Sequence, residues 1–182
     1  INTFKEALIK QKLDTVVQKE QLLAYYESNK ESFKLNKVLI QFKFVKIPKN
    51  HKDKKQWKRL LRSNKHIDLQ LLAESEEQFQ DSFLNDSVWV SYKKVLKELP
   101  VLKDLKTTSW MRPNSFFQKY ESDGLYFIYV KELRRKNEIA PLEYIEKTLQ
   151  EMILHQRKLE LVHTIEDVLV DDAIKKKQFE IY

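Results

Sequence analysis

The chain has 182 residues, of which 34 are Lys or Arg and 27 are Asp or Glu, so its formal net charge is +7. It contains one glycine and no cysteine, which excludes a disulfide scaffold, a cysteine-based zinc site and the glycine-rich loops of P-loop and dinucleotide-binding proteins. No stretch approaches the ~18 consecutive apolar residues of a membrane span, whereas 42% hydrophobic residues are enough for a folded core. The chain begins with isoleucine, so we expect an upstream segment such as a signal peptide, a lipid anchor or a further domain.

Two short helices are predicted near the N-terminus. Phe4, Leu8 and Ile9 have helical spacing and follow Thr3, whose side chain is a typical N-cap. A second apolar stripe predicts a helix over about 19–28. Neither helix is long enough to bury a core of its own, so we expect both to pack against another part of the chain.

The pattern then changes to a period of two over residues 38–47. Ile40, Phe42 and Phe44 alternate with polar residues such as Lys43, and a proline ends the run. This predicts a strand with one buried face and one solvent-exposed face.

Helix and strand signals alternate after this strand. Apolar stripes predict helices over 51–63, 67–80 and 92–100. A short strand is predicted over 87–90, and residues 101–113 show no regular pattern.

The single glycine marks a β-hairpin. Two aromatic-rich runs, 115–120 and 125–133, flank Gly124, and tight turns favour glycine because it readily adopts positive φ. We therefore predict a hairpin whose turn places Gly124 at positive φ.

A long helix is predicted from Pro141, a residue favoured in the first helical turn, to about Lys177. Such a helix is ~50 Å long and outreaches a small domain, so we expect it to pack on the N-terminal helices. Residues 179–182 alternate in polarity and are predicted to add a short strand.

Together these elements predict an α+β fold. A β-α-α-β-α-β-β domain over 34–136 is inserted between helical arms. The arms are an N-terminal helix pair over 1–33 and one long C-terminal helix over 137–182 that packs on it.

Positive charge is concentrated in one stretch of the inserted domain. Residues 34–65 contain twelve Lys or Arg and one acid, whereas residues 66–90 contain six acids and no Lys or Arg. The cations expected to form one basic surface are Lys54, Lys55, Lys58, Arg59 and Arg62. With an exposed Trp57, this surface would suit a phosphate backbone and a stacked base.

Two other interpretations of this stretch are open. In the first, Trp57 is buried with its apolar neighbours while the lysines are solvated. In the second, the basic and acidic helices lie side by side and their charges pair. Because no known nucleic-acid motif accompanies the charge, nucleic acid is the less favoured partner.

No constellation for catalysis or metal binding stands out. The histidines are His51, His66, His155 and His163. His155 and His163 are about two helical turns apart, too far to hold one ion together. We therefore expect no metal and no cofactor, and the residues by themselves indicate a binding protein rather than an enzyme.

Three stretches carry a resemblance to a known family. They are KLDTVVQKEQLLAYYESNKESFKL (12–35), DGLYFIYVKELRRKNEIAPLEYIEKTLQEMIL (123–154) and QRKLELVHTIEDVLVDDAIKKKQFEIY (156–182). With the order of elements, they resemble the parvulin-type peptidyl-prolyl isomerases and the periplasmic chaperones built from them, the SurA, PrsA and PpiC class, in a divergent Bacteroidetes-type branch. The resemblance implies that the domain over 34–136 is parvulin-like.

The chain departs from this family at its catalytic motifs. Parvulins carry a histidine in the first strand, where this chain has Phe44, and Phe127 stands at or near the histidine of the last strand. The family's glycine-rich turn is missing, and SVWVSY with Trp89 occupies that region. Two phenylalanines would keep an apolar groove but lose the polar network, so we expect little or no isomerase activity. An active isomerase with an unorthodox site is the alternative.

The resemblance also implies a groove that binds extended, apolar-rich polypeptides, as a folding chaperone requires. Its expected contact residues are Phe42, Phe44, Trp89, Trp110, Met111, Tyr126 and Phe127. Trp110 and Met111 lie in an irregular stretch and are expected to be exposed, whereas the strand aromatics have ordinary core packing as their alternative interpretation.

The implied location is the periplasm or cell envelope of a Gram-negative bacterium. The implied partners are unfolded polypeptide clients, outer-membrane proteins among them. An upstream anchor or the basic stretch 49–65 would bring the protein to an anionic membrane surface. Nothing in the sequence indicates the oligomeric state.

Overall fold

The computed structural model describes residues 2–103 and 110–175. Contacts divide the chain into two units, one formed by 1–32 with 141–182 and the other by 33–140. We call the first the helical unit and the second the sheet unit. Over the described residues the fold is mixed α+β, with an antiparallel sheet and a long C-terminal helix, so the α+β class is confirmed.

The described helices and strands alternate along the chain. In chain order they are α1 (Asn2–Lys12), α2 (Lys19–Asn29), β1 (Leu39–Ile47), α3 (Lys54–Leu61), α4 (His66–Glu74), β2 (Asp81–Phe83), β3 (Val90–Ser91), α5 (Tyr92–Glu98), β4 (Ser115–Glu121), β5 (Gly124–Arg134) and α6 (Leu142–Lys175). Short 3₁₀ turns lie at Lys30–Ser32, Glu76–Gln78 and Pro100–Leu102.

The strands of the sheet unit pair in the order β2–β1–β5–β4, and β3 pairs with the beginning of β1. All of these pairs are antiparallel. In the centre of the sheet, Phe44 lies opposite Ile128 on β5 and opposite Phe83 on β2. The β4–β5 hairpin pairs Glu121 with Gly124 across a two-residue turn, which confirms the predicted hairpin.

Both faces of this sheet are buried. The first face packs under α5 and the turn after it, and its buried strand residues are Ile40, Phe42, Phe44, Ile128 and Val130. The second face packs under α3 and α4, and its buried strand residues are Val45, Ile47, Leu125, Phe127 and Tyr129. The prediction of a solvent-exposed face on β1 is therefore wrong, because helices cover that side as well.

Lys43 lies on the covered second side of β1 and is 0% exposed. Its Nζ lies 3.1 Å from Asp86 Oδ2, donates to the carbonyl of Ser63 at 3.1 Å and stands 5.4 Å from the centre of the Tyr129 ring. Asp86 also accepts from Lys131 at 3.1 Å. The charge is therefore paired and hydrogen-bonded, the condition under which a lysine is retained in a core.

Gly124 has a different role from the predicted one. Its φ is not positive, so the prediction of a left-handed conformation is wrong. A Cβ on Gly124 would lie 2.7 Å from Gln80 Oε1 and 3.0 Å from the carbonyl oxygen of Ile47. Glycine is favoured here because the backbone of Ile47 passes close against the hairpin, whereas the flexible Gln80 side chain is free to move aside.

Two predicted boundaries in the middle of the chain also change. The helix predicted over 67–80 ends at Glu74, and β2, which the sequence analysis did not predict, begins just after that range, at Asp81. The strand predicted over 87–90 is reduced to Val90–Ser91. It is short because the Ser91 hydroxyl already caps α5, accepting from the backbone N–H of that helix's third residue.

In the helical unit, α1 and α2 both contact α6. The guanidinium of Arg157 on α6 donates to the carbonyl of Asp14 at 2.9 Å, to the carbonyl of Val16 at 2.8 Å and to Gln21 Oε1 at 2.8 Å. This one side chain thus fixes the connection between α1 and α2. The strand predicted at 179–182 lies outside the described residues.

Candidate functional site

The predicted groove begins with aromatic residues on the first face of the sheet. Phe42 stacks on Phe44 with ring centres 6.3 Å apart and on Phe83 at 5.1 Å. Phe42 and Phe44 are 1% and 4% exposed, and Tyr126 packs at the edge of the same cluster. These rings therefore fill the face with one another, as in an ordinary core.

Phe127 does not share this face. Side chains alternate along a strand, and the register places Phe127 opposite Val45, whereas Phe44 lies opposite Ile128. Phe127 packs on the second face, with its ring centre 5.7 Å from that of Phe116. The expectation that Phe44 and Phe127 line one groove is therefore wrong.

The irregular stretch before β4 is also packed differently from the expectation. Trp110 is 1% exposed and lies 5.8 Å from the Tyr92 ring, so the prediction that it is exposed is wrong. Met111 is half-buried against the same cluster. Trp89 is half-buried and lies apart from it, under the guanidinium of Arg134 at 5.4 Å.

One opening lies at the end of the first face, beside Tyr126, and has a volume of about 350 Å³. Its lining residues are Pro100, Val101, Glu121, Ser122, Asp123 and Tyr126. Lys46 Nζ lies 2.7 Å from Asp123 Oδ2, and the Tyr126 hydroxyl donates to the same oxygen at 3.2 Å. The hydrogen bond between Lys46 and Asp123 lowers the pKa of Asp123 and raises the pKa of Lys46. The opening is thus polar with paired charges, unlike an apolar pocket for proline.

The predicted basic surface forms a second opening, on the outside of α3. It is an open depression of about 530 Å³ lined by Lys55, Lys58, Arg59, Arg62 and Ser63. Lys54 points elsewhere, 5.8 Å from the centre of the Tyr120 ring. The structure therefore brings together four of the five predicted cations.

The aromatic residues near this depression are not free to stack on a base. Trp57 is 2% exposed, and its indole N–H points at His51 Nδ1 at 3.4 Å, so the interpretation of Trp57 as a core residue is confirmed. The ring of Phe116 is covered by Lys58 and Arg62, at 5.2 and 5.7 Å.

The acidic helix α4 lies beside the basic helix α3, as one of the sequence interpretations has it. Asp68 Oδ2 accepts from the Ser63 hydroxyl at 2.6 Å, and Asp68 Oδ1 lies 3.2 Å from a guanidinium nitrogen of Arg59. The Ser63 hydrogen bond and the charge of Arg59 hold the pKa of Asp68 below its usual range. Only one of the four cations in the depression is engaged in this pair.

Two grooves formed by described residues of the helical unit share Tyr25. The first has a volume of about 410 Å³ and is lined by Gln21, Ala24, Tyr25, Ser28, Asn29, Ile153, Gln156, Arg157 and Glu160. The second has a volume of about 380 Å³ and is lined by Tyr25, Thr148, Glu151, Met152, His155, Gln156 and Leu159. Both follow the axis of α6, so they are elongated surfaces rather than closed pockets.

Apolar side chains on α6 are left in solvent. Met152 is 41% exposed and Leu159 is 52% exposed, while Val168, Val170 and Ile174 are 61%, 52% and 61% exposed. Met152 and Leu159 are seven residues apart, a spacing that places them on one helical face and could have been read from the sequence. None of these residues is among the contact residues predicted from the sequence.

Two further properties hold for the part of the chain that the structure describes. No three His, Asp or Glu side chains come together as a group that could hold a metal ion. No helix in 2–103 or 110–175 combines the length and the apolar character needed to cross a membrane.

Comparison with known proteins yields a similarity among solved structures alone. No protein-family model matches the chain, and no characterised protein matches it in sequence. Its fold is similar to a structure from Campylobacter jejuni, from a study describing the virulence factor PEB4 and the periplasmic protein Cj1289 as SurA-like chaperones. Identity is 12%, the alignment covers 100% of this chain and 69% of that chain, and the TM-score is 0.36. A TM-score of 0.36 does not establish a shared function.

Proposed function

We propose that the protein is a parvulin-like folding chaperone of the cell envelope that binds extended, apolar-rich segments of unfolded polypeptides and has little or no prolyl isomerase activity. The observation that carries this proposal is the exposed apolar face of α6, with Met152 and Leu159 beside Tyr25. We infer that this face, rather than the sheet, contacts clients.

The chemistry of the α6 grooves suits a polypeptide without a fixed sequence. Methionine is unbranched and adapts to different partners, and apolar surface left in water gains free energy when a client covers it. Gln156 borders both grooves, and its amide donates to Glu160 Oε1 at 3.0 Å. Such polar groups can exchange partners with the backbone of an extended client.

The packing of the sheet unit supports the part of the proposal that concerns prolyl isomerase activity, which we expect to be little or none. An isomerase of this kind has to hold a proline in an apolar pocket, yet the Phe42 and Phe44 rings are packed against each other and against Phe83. The opening beside Tyr126 is lined by paired charges. The alternative of an active isomerase thus has no observation in its favour, and neither has base stacking by the buried Trp57.

Aggregation of an unfolded outer-membrane protein on dilution from urea, followed by light scattering, tests the proposal. The wild type is expected to suppress aggregation at a near-stoichiometric ratio. Met152→Ser combined with Leu159→Ser is expected to weaken the suppression at least severalfold, because two exposed apolar side chains are lost. Lys147→Ser combined with Lys158→Ser is the matched control, since both lysines are exposed on the same helix.

Two results would contradict the proposal. Failure of the wild type to protect several different clients would exclude chaperone activity. Full protection by the Met152/Leu159 variant would exclude this face of α6 as the client-binding surface. Acceleration of Xaa-Pro isomerisation in a short peptide above its spontaneous rate would favour the isomerase instead.

A further inference from the structure

The depression on α3 contains positive charge that the sheet unit does not neutralise. Arg59 is paired with Asp68, whereas none of the ion pairs found among the described residues involves Lys55, Lys58 or Arg62. All three side chains are exposed. Like charges held together in this way attract an anionic partner.

Exposed apolar residues lie on the helix that contacts this depression. Arg59 on α3 and Ser63 both contact Asp68 in the first turn of α4, and Ile67 precedes Asp68 in that turn. Ile67 is 74% exposed, and Leu71, one turn further along α4, is 39% exposed. The two are on one side of the helix because they are four residues apart.

The combination of cations and exposed aliphatic side chains selects among anionic partners. A single-stranded nucleic acid is held by aromatic rings that stack on bases, but Trp57 is buried and Phe116 is covered by Lys58 and Arg62. An anionic bilayer offers phosphate groups to the cations and an acyl region to aliphatic side chains such as Ile67.

We propose that α3 and the first turns of α4 form a surface that binds the headgroup layer of an anionic lipid bilayer. Lys55, Lys58 and Arg62 pair with lipid phosphates, while Ile67 and Leu71 enter the headgroup–acyl boundary. This property is independent of client binding, because it belongs to the sheet unit and requires no unfolded polypeptide.

Co-sedimentation with vesicles tests this surface. The wild type is expected to sediment with phosphatidylcholine vesicles that contain phosphatidylglycerol, to ignore vesicles of phosphatidylcholine alone, and to release as salt is raised. K55E/K58E/R62E is expected to lose about tenfold or more in affinity, since each juxtamembrane charge contributes several-fold. The control K93E/K94E/K97E makes the same change in net charge on exposed positions of α5, at the other face of the sheet, and is expected to lose far less.

A second variant separates a bilayer from other polyanions. Ile67→Ser removes the aliphatic side chain without altering charge, and a severalfold loss of vesicle affinity is expected. Three results would overturn the proposal: no binding to anionic vesicles, equal losses in the α3 and α5 variants, or an unaffected Ile67→Ser variant together with equally tight binding of polyglutamate or a single-stranded oligonucleotide. Circular dichroism of each variant, and K55Q/K58Q/R62Q if the charge reversal unfolds, keeps these results interpretable.

Discussion

The two units of the chain divide charge and apolar surface in opposite ways. Segments 1–32 and 141–182 contain 11 basic and 14 acidic residues, a net charge of −3, whereas 33–140 contains 23 basic and 13 acidic residues, a net charge of +10. The sheet unit buries apolar residues on both faces of its sheet and presents cations. The helical unit leaves apolar residues of α6 in solvent. In the two proposals above, the helical unit accordingly meets apolar partners and the sheet unit meets anionic ones.

The strongest way to test this contrast is to weaken the sheet unit alone, by Lys43→Ala. The substitution removes a buried cation from Asp86 and leaves a cavity, and we expect the free energy of unfolding to fall by about 3 kcal/mol. Urea unfolding followed by tryptophan fluorescence measures this, because Trp57, Trp89 and Trp110 all lie in the sheet unit.

The control for Lys43 is an exposed pair in the same unit. Lys94 lies 3.8 Å from Glu98, and the two side chains are 65% and 53% exposed, so Lys94→Ala is expected to change stability by less than about 0.5 kcal/mol. Lys43→Met keeps most of the volume and leaves Asp86 paired with Lys131, and an intermediate loss is expected. Equal stability of Lys43→Ala and the wild type would mean that the buried pair does not hold the sheet unit together.

Lys43 also shows where sequence reasoning stops. Its alternation with Phe42 and Phe44 is a local pattern, and it predicts the strand and its two sides correctly. Whether the polar side meets water depends on α3 and on Asp86, which lies 43 residues further along the chain. When the partner of a buried charge lies so far away in the sequence, no periodic pattern around the charged residue predicts its burial.

The candidate site was less predictable than the fold. The hairpin and the long helix followed from one glycine, one proline and regular spacing. Phe127 was assigned to the groove by its place in a motif, but a shift of one position along a strand moves a side chain to the other face. Four of the five predicted cations lie together because the helical spacing of Lys55, Lys58, Arg59 and Arg62 puts them on one side of α3, whereas Lys54 points elsewhere.

A smaller effect is expected in the helical unit for Arg157→Ala. The guanidinium fixes the backbone at Asp14 and Val16 as well as the side chain of Gln21, and the loss of these charged hydrogen bonds should cost about 1–2 kcal/mol. Hydrogen exchange at residues 14–18 is expected to accelerate while the tryptophan fluorescence transition stays unchanged. Arg157→Lys should not restore protection, because an ammonium lacks the planar fork that reaches all three acceptors.

Lys158→Ala is the matched control for Arg157, since its exposed side chain follows directly on the same helix. Faster exchange in both variants would mean that the effect comes from helix propensity or net charge rather than from the three hydrogen bonds. A shift in tryptophan fluorescence with Arg157→Ala would show that the two units do not unfold separately.

The smallest expected effect is a dependence on pH at the edge of the proposed lipid surface. The pKa of Asp68 is lowered in the folded chain, first by the Ser63 hydroxyl and then by Arg59. The Asp68 carboxylate therefore binds a proton more readily in the unfolded chain than in the folded one. Its contribution to the stability of the fold is complete above the ordinary carboxyl pKa of about 3.9 and is lost as pH falls through the lower folded pKa. Melting temperatures between neutral pH and acid should fall less steeply for Asp68→Asn than for the wild type. Asp53→Asn is the control, because the Asp53 carboxylate makes no capping hydrogen bond to α3, and its melting temperature should follow that of the wild type. If the melting temperatures of all three proteins fall equally steeply with pH, Asp68 does not link α3 to α4.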